Sequence, residues 1–345
     1  MAAKTRIQAK DPGRDARRRW LFLALFLALG LTHGYGTAAR YDRVKEFEGD
    51  RQTYAAMSQG QPLDQTLYLY RWRALTPWVV EHMNVFLPDV LTHYYQVDPQ
   101  KVLRVRWALW NGLGGVCAAF FLLLMMEELG FSLLQAGVGG LLYATSFQVA
   151  LDGACMLVDP WANAATVACL LLALRGSRWR LLLVFAIGMF VKETVVLVGA
   201  WILLMRRPRW FSQCLCLLPG LLAYLWFRFL YLPGGGGHTE FDHTVGAFFQ
   251  PVHLAYVAVE FGLNFALLAP LALLGWRDSA KMPELRRMAP LLLALALIPV
   301  LLSVELLRPW FAGFPVFIPL AVLGLWRLGG FEGPVLAPAK ARARH

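Results

Sequence analysis

The apolar residues of this chain fall in long runs that no charge interrupts. Leu21 to Leu31 and Leu291 to Leu302 contain no ionisable side chain. Hydrocarbon offers no hydrogen-bond partner to the backbone, so such runs can cross it only as helices, at about 20 residues per crossing. Composition points the same way. Of 345 residues, 58% are apolar and 16% are charged, where a soluble domain carries about 45–50% and about 25%. A soluble enzyme, a secreted disulfide scaffold and a disordered tail are all excluded on these grounds. The expected class is an all-α, polytopic transmembrane bundle.

The net charge of +11 raises the question of nucleic acid, and the placement of the charge answers it. Lys and Arg gather in short tracts between apolar runs: Arg17 to Arg19, Arg175 to Arg180, Arg206 to Arg209, Arg277 to Arg287 and Lys340 to Arg344. Cytoplasmic loops of membrane proteins have this distribution. A nucleic-acid surface would need a continuous basic face interleaved with aromatics, so no nucleic-acid partner is expected. The cysteines (117, 155, 169, 214 and 216) form no CxxC pair and read as buried thiols.

The first span is Trp20 to Ala39, preceded by seven basic residues that form a cytoplasmic N-terminus at 1–19. A cleaved signal peptide is the rival for this stretch, with Gly36-Thr37-Ala38 as the cleavage site. Residues 40–101 form a long polar outer loop. Further spans read as Val102–Met126, Leu133–Ala150, Met156–Leu174, Leu181–Val191, Val195–Met205, Phe211–Leu232, Leu254–Trp276, Met288–Val304 and Pro309–Leu328, which completes a bundle over 102–328. A basic tail follows at 329–345. The spans around Lys192-Glu193-Thr194 hold about 11 residues each, too few to cross singly at roughly 1.5 Å per residue. Read as a hairpin bent at that tripeptide, they keep all the basic tracts on one side. The result is about ten membrane segments in the plasma (inner) membrane, with both termini cytoplasmic.

This topology puts four polar features on the outer face: the long loop after the first span, Asp152 to Asp159, Lys192-Glu193 and Pro233 to His253. Glu48 and Asp50 form a carboxylate pair in the outer loop, and Arg71 and Arg73 supply cations. Glu305 and Arg308 end on the same side. Charges near bilayer depth are costly and mark function. A carboxylate there can take a proton from an acceptor hydroxyl, and a guanidinium can neutralise a phosphate. A solvated loop with incidental ion pairs has the same spacing. Other features have plain structural readings. Asp159-Pro160 fits a helix cap with proline at the first position. Pro77 to Val97 reads as an amphipathic interfacial helix kinked at Pro88. Glu260 and Asn264 share a helix face toward a partner helix. His238 to His243 holds potential metal ligands at a spacing that does not suit a helical site.

Gly49-Asp50-Arg51-Gln52-Thr53-Tyr54, followed by Tyr70-Arg71-Trp72-Arg73-Ala74-Leu75-Thr76-Pro77-Trp78, resembles bacterial membrane glycosyltransferases of the GT-C fold. Val158-Asp159-Pro160, Val191-Lys192-Glu193-Thr194 and Arg308-Pro309 are similar to that group. The resemblance implies transfer of a sugar from a polyprenyl-phosphate carrier to an acceptor hydroxyl of a glycan or lipid in the cell envelope. It implies Asp50 as general base with Glu48 in reserve. It assigns substrate binding to Arg71, Arg73, Asp159, Lys192, Glu193 and Arg308. No cofactor is implied, and a divalent-metal requirement stays open. A non-catalytic subunit of an envelope complex and a lipid or solute transporter are the alternatives; a transporter would carry a midplane path and an internal repeat, and no such repeat stands out.

Topology supplies the first test. A single cysteine at position 207 in a cysteine-free background is expected to resist an impermeant thiol reagent in intact cells. External labelling there would break the hairpin.

Overall fold

The computed structural model describes residues 12–40, 48–66, 73–83, 99–146, 149–150, 156–205, 209–231, 259, 262, 265–292 and 312–330. Among the described residues there are helices and turns and no strand. The helices are α1 (Pro12–Arg40), α2 (Glu48–Met57), α3 (Leu75–His82), α4 (Pro99–Leu129), α5 (Leu133–Ala144), α6 (Asp159–Arg175), α7 (Arg178–Val191), α8 (Leu197–Met205), α9 (Trp210–Trp226), α10 (Leu268–Gly275), α11 (Pro283–Met288) and α12 (Phe314–Leu328). A π-helical turn, Phe227–Tyr231, extends α9. Two helices, Pro99–Leu129 and Trp210–Leu230, are long and apolar enough to cross a bilayer.

Local chemistry sets several of these boundaries. Ser132 caps α5 through a reciprocal box: its hydroxyl accepts from the Gln135 N–H, and the Gln135 side chain accepts from the Ser132 N–H. The pair satisfies two backbone donors that the first turn leaves open. Gly176, at φ 72°, closes α6 in the left-handed region, where a side chain would be strained. The chain thereby turns directly into α7.

α4 is the central element, with α1, α5 and α6 packed around it. Its contact with α1 is nearly backbone to backbone: a methyl group added at Gly112 would sit 2.9 Å from the Gly30 carbonyl oxygen. α1 also presses Phe22 and Phe26 into hollows over Gly137 and Gly140 of α5. Trp107, Tyr143, Phe185, Trp201 and Phe314 fill the interior.

The chain reverses between α7 and α8, as the hairpin reading expects. Val195 folds back to within 3.0 Å of where a Gly188 side chain would begin, and Gly199 lies level with Leu217 of α9. α7 and α9 run in the same direction, with Ala186 beside Gly220 and Phe190 beside Tyr224 and Phe227. α8 therefore points back toward the start of α9.

The boundaries depart from the expected spans. α4 begins at Pro99, inside the segment read as outer loop, and α1 begins eight residues ahead of Trp20. The span read as Leu133–Ala150 breaks after Ala144. The amphipathic segment after Pro77 is helical only to His82, and its continuation lies outside the described residues. Glu260, Asn264, Cys155, Asp152, Glu305 and the His238 to His243 loop also lie outside them.

Two glycines give a contrasting test of this packing. Gly112→Ala forces a carbon against backbone that cannot swing away, and is expected to cost about 1–3 kcal/mol. Gly199→Ala places its carbon 3.7 Å from a Leu217 methyl, an ordinary contact, and gains helix propensity of up to ~1 kcal/mol. Thermal unfolding in detergent separates the two, and equal midpoints would contradict the α1–α4 crossing.

Candidate functional site

The bundle has two polar ends of different character. At one end, Arg19 of α1 makes a two-pronged pair with Glu127 at 2.9 and 3.0 Å, and Arg175 of α6 meets Glu128 at 2.9 Å. Gln213 at the start of α9 donates to the Ala173 carbonyl, and Arg287 donates to that of Met205. The ends of α4, α6 and α8 and the starts of α1, α7 and α9 therefore share this Arg19 end.

The opposite end carries a connected polar network. Lys192, in extended backbone after α7, places its ammonium 2.5 Å from the Asp159 carboxylate, and both groups are buried. Glu193, the next residue, accepts two bonds from the Arg73 guanidinium, one of them 2.9 Å from Nε. The third arm of Arg73 donates to the Tyr54 hydroxyl at 2.9 Å. Tyr54 and Ser58 seat α2 on α4: the Tyr54 ring lies 6.2 Å from that of Trp107, and the Trp107 indole donates to the Ser58 hydroxyl at 3.1 Å. One polar path thus runs from α4 through α2, Arg73 and the α7–α8 turn to α6.

Burial works against the charge on Arg73, but Tyr54 and Glu193 outweigh it and hold the guanidinium well above its ordinary value. Tyr224 lies within electrostatic reach of Glu193 and Arg73, and its hydroxyl accepts from Arg228 at 3.4 Å.

The structure brings together four of the eight residues that the sequence singles out: Arg73, Asp159, Lys192 and Glu193. Arg71 and Arg308 lie outside the described residues. The backbone of Glu48 and Asp50 forms the first turn of α2, while their side chains are outside the description. Position 50 precedes Tyr54 by four residues, one turn along the same helix face; position 48 falls on the far side. The cap reading of Asp159 needs correction. Val158 occupies the cap position without a side-chain bond, and the Asp159 carboxylate is engaged by Lys192. Tyr54, Ser58, Trp107 and Tyr224 are additions. Tyr54 falls in the Gly49 to Tyr54 motif without a role of its own, four residues after Asp50; Ser58 lies in the segment read as polar loop and Trp107 in an apolar span, where no local signal marks them.

The arrangement can hold two cations at fixed positions, each against a carboxylate. No group of three or more His, Cys, Asp or Glu side chains that could hold a metal ion occurs among the described residues. No family model, curated protein or solved structure matches the chain.

The buried pair gives a direct test. Lys192→Met takes the ammonium away from the buried Asp159 carboxylate and is expected to destabilise the protein by about 3–5 kcal/mol. Lys192→Met with Asp159→Leu removes both charges and is expected to recover most of that loss. Additive losses in this cycle would mean that the two side chains do not interact.

Proposed function

We propose that the chain is a polytopic membrane glycosyltransferase of the GT-C kind, moving a sugar from a polyprenyl-phosphate carrier to an acceptor hydroxyl. The observation that carries this reading is the Arg73–Glu193 and Lys192–Asp159 network, gathered at the end of the bundle opposite Arg19, Arg175 and Arg287. The membrane part draws on α9. From Phe211 through Leu215, Leu218, Leu222 and Leu225 to Phe229 it exposes a continuous apolar face, too large a patch for water. In this reading about ten segments lie in the plasma membrane, the two around Lys192 as a hairpin, both termini are cytoplasmic, and the network lies toward the outer side. Lipid-linked donors suit a site there, at the membrane surface.

The roles follow from chemistry. Asp50 deprotonates the acceptor hydroxyl. The departing phosphate carries its own charge and needs cations, which Arg71, Arg308 and the network's Arg73 and Lys192 supply. Glu193 and Asp159 hold the last two in place. A specific observation favours a second reading, a non-catalytic envelope subunit: the four charges of the network neutralise one another in pairs. Such pairing would also serve as a purely structural tie.

Activity separates the two. Purified protein is offered a panel of polyprenyl-phosphate hexoses and pentoses with envelope glycan and glycolipid acceptors, and products are read by mass spectrometry. Asp50→Asn is expected to lower turnover by ~10²–10⁴-fold, the usual size of general-base catalysis, with an unchanged thermal midpoint. Wild-type turnover in that variant sinks the assignment. Loss in Glu48→Gln alone moves the base to Glu48, and no transfer by the wild type with any donor favours the subunit.

A further inference from the structure

Five helices meet the Arg19 end with an arginine beside a tryptophan, and the order of the two follows the direction of the chain. Where the chain runs into the bundle, arginine comes first: Arg19-Trp20 in α1, Arg178-Trp179 in α7 and Arg209-Trp210 at α9. Where it runs out, tryptophan comes first: Trp276-Arg277 after α10 and Trp326-Arg327 in α12. The direction of α12 follows from α5, since the Phe314 ring lies tilted against that of Tyr143 and Ile318 lies by Gly139. α5 leaves the Arg19 end, so α12 returns to it. That of α10 follows from Arg286 and Arg287, which lie over Trp276 and against Met205. In each of these pairs the tryptophan is the residue nearer the middle of the bundle; in α7 a second arginine, Arg180, follows Trp179 one step further in.

Interior packing gives no reason for the order to reverse with chain direction. A planar boundary does. Four of the five indoles are also turned outward: Trp20 and Trp179 are each 69% exposed, and Trp210 and Trp276 are 38% and 39% exposed, while Trp326 is half-buried against the core. Arg178, Arg180, Arg277, Arg286 and Arg327 are exposed beside them. Glu127 and Glu128 are already engaged by Arg19 and Arg175, so the outer ring keeps a positive excess. Indoles favour the headgroup level of a bilayer, and a guanidinium fork matches a phosphate. From Trp210 the exposed face of α9 runs to Leu230 over 21 residues, about 30 Å, the thickness of the hydrocarbon layer.

We infer that this Trp–Arg collar binds anionic phospholipid headgroups, with arginine on the phosphate and indole just beneath, and thereby fixes the depth and sidedness of the bundle. The inference rests on the membrane part of the reading above and is independent of sugar transfer.

The test uses the full-length protein in neutral detergent, titrated with phosphatidylglycerol or phosphatidylcholine while the thermal midpoint is recorded. Phosphatidylglycerol is expected to raise the midpoint at low salt and to lose the effect at high salt; phosphatidylcholine at the same mole fraction should raise it far less. Arg178→Gln, Arg180→Gln and Arg277→Gln, alone and combined, should each weaken the response to phosphatidylglycerol by about fivefold. Their midpoints in detergent alone report folding, and the matching lysine variants should keep most of the response. Equal responses to the two lipids, or an unchanged response in the triple glutamine variant, would overturn the collar. Loss of the lipid response with transfer intact sinks the collar alone; a lipid response without any transfer sinks the transferase alone.

Discussion

Consecutive residues of opposite charge, Lys192 and Glu193, hold the reversal between α7 and α8, and the polar end of the molecule depends on that reversal. Lys192 is in extended backbone, at φ −160° and ψ 138°, where neighbouring side chains leave on opposite sides. Lys192 therefore reaches Asp159 at the start of α6, and Glu193 reaches Arg73 ahead of α3. A helical Lys192 would send the two side chains about 100° apart around one axis, and both partners could not be met at once. One extended residue thus ties α6, α7, α8 and the α2–α3 segment together.

The other end uses charge differently. Glu127 and Glu128 stand in the last turn of α4, where the partial negative charge of the helix terminus disfavours carboxylates. Arg19 and Arg175 offset this, each binding one carboxylate. Both pairs are partly exposed, so each contributes at most about 1 kcal/mol. Their larger effect is positional, because α1 and α6 are both registered against the end of the central helix. α4 then carries that register about 20 residues back to Trp107, which anchors Tyr54 and Ser58 at the far end.

The sequence made the grouping of charges legible and left their pairing illegible. Asp159, Lys192 and Glu193 stand out because they interrupt apolar runs, and the hairpin follows because segments of about 11 residues cannot each cross a bilayer. The pair Arg73–Glu193 joins residues 120 apart in the chain, and no local pattern encodes that meeting. Trp107 looks like a core residue of an apolar span, since an aromatic ring packs in the same way whether or not its polar atom has a task. Asp159 was ambiguous for another reason: Asp-Pro opens a helix whether its carboxylate caps the helix or points elsewhere. The tryptophans at the Arg19 end were hidden by their number, because 13 indoles carry no message until chain direction orders them.

The two ends are mechanically linked through α7. It spans 14 residues, roughly 21 Å at full extension, from Arg178 in the collar to Val191 beside the network. That is shorter than the ~30 Å hydrocarbon layer. With its arginine held at one headgroup plane, α7 cannot carry Lys192 and Glu193 as far as the other plane. The turn then stops some way inside the apolar layer, where an unpaired charge is most costly. Pairing at this turn is therefore required by the length of α7 in the membrane reading.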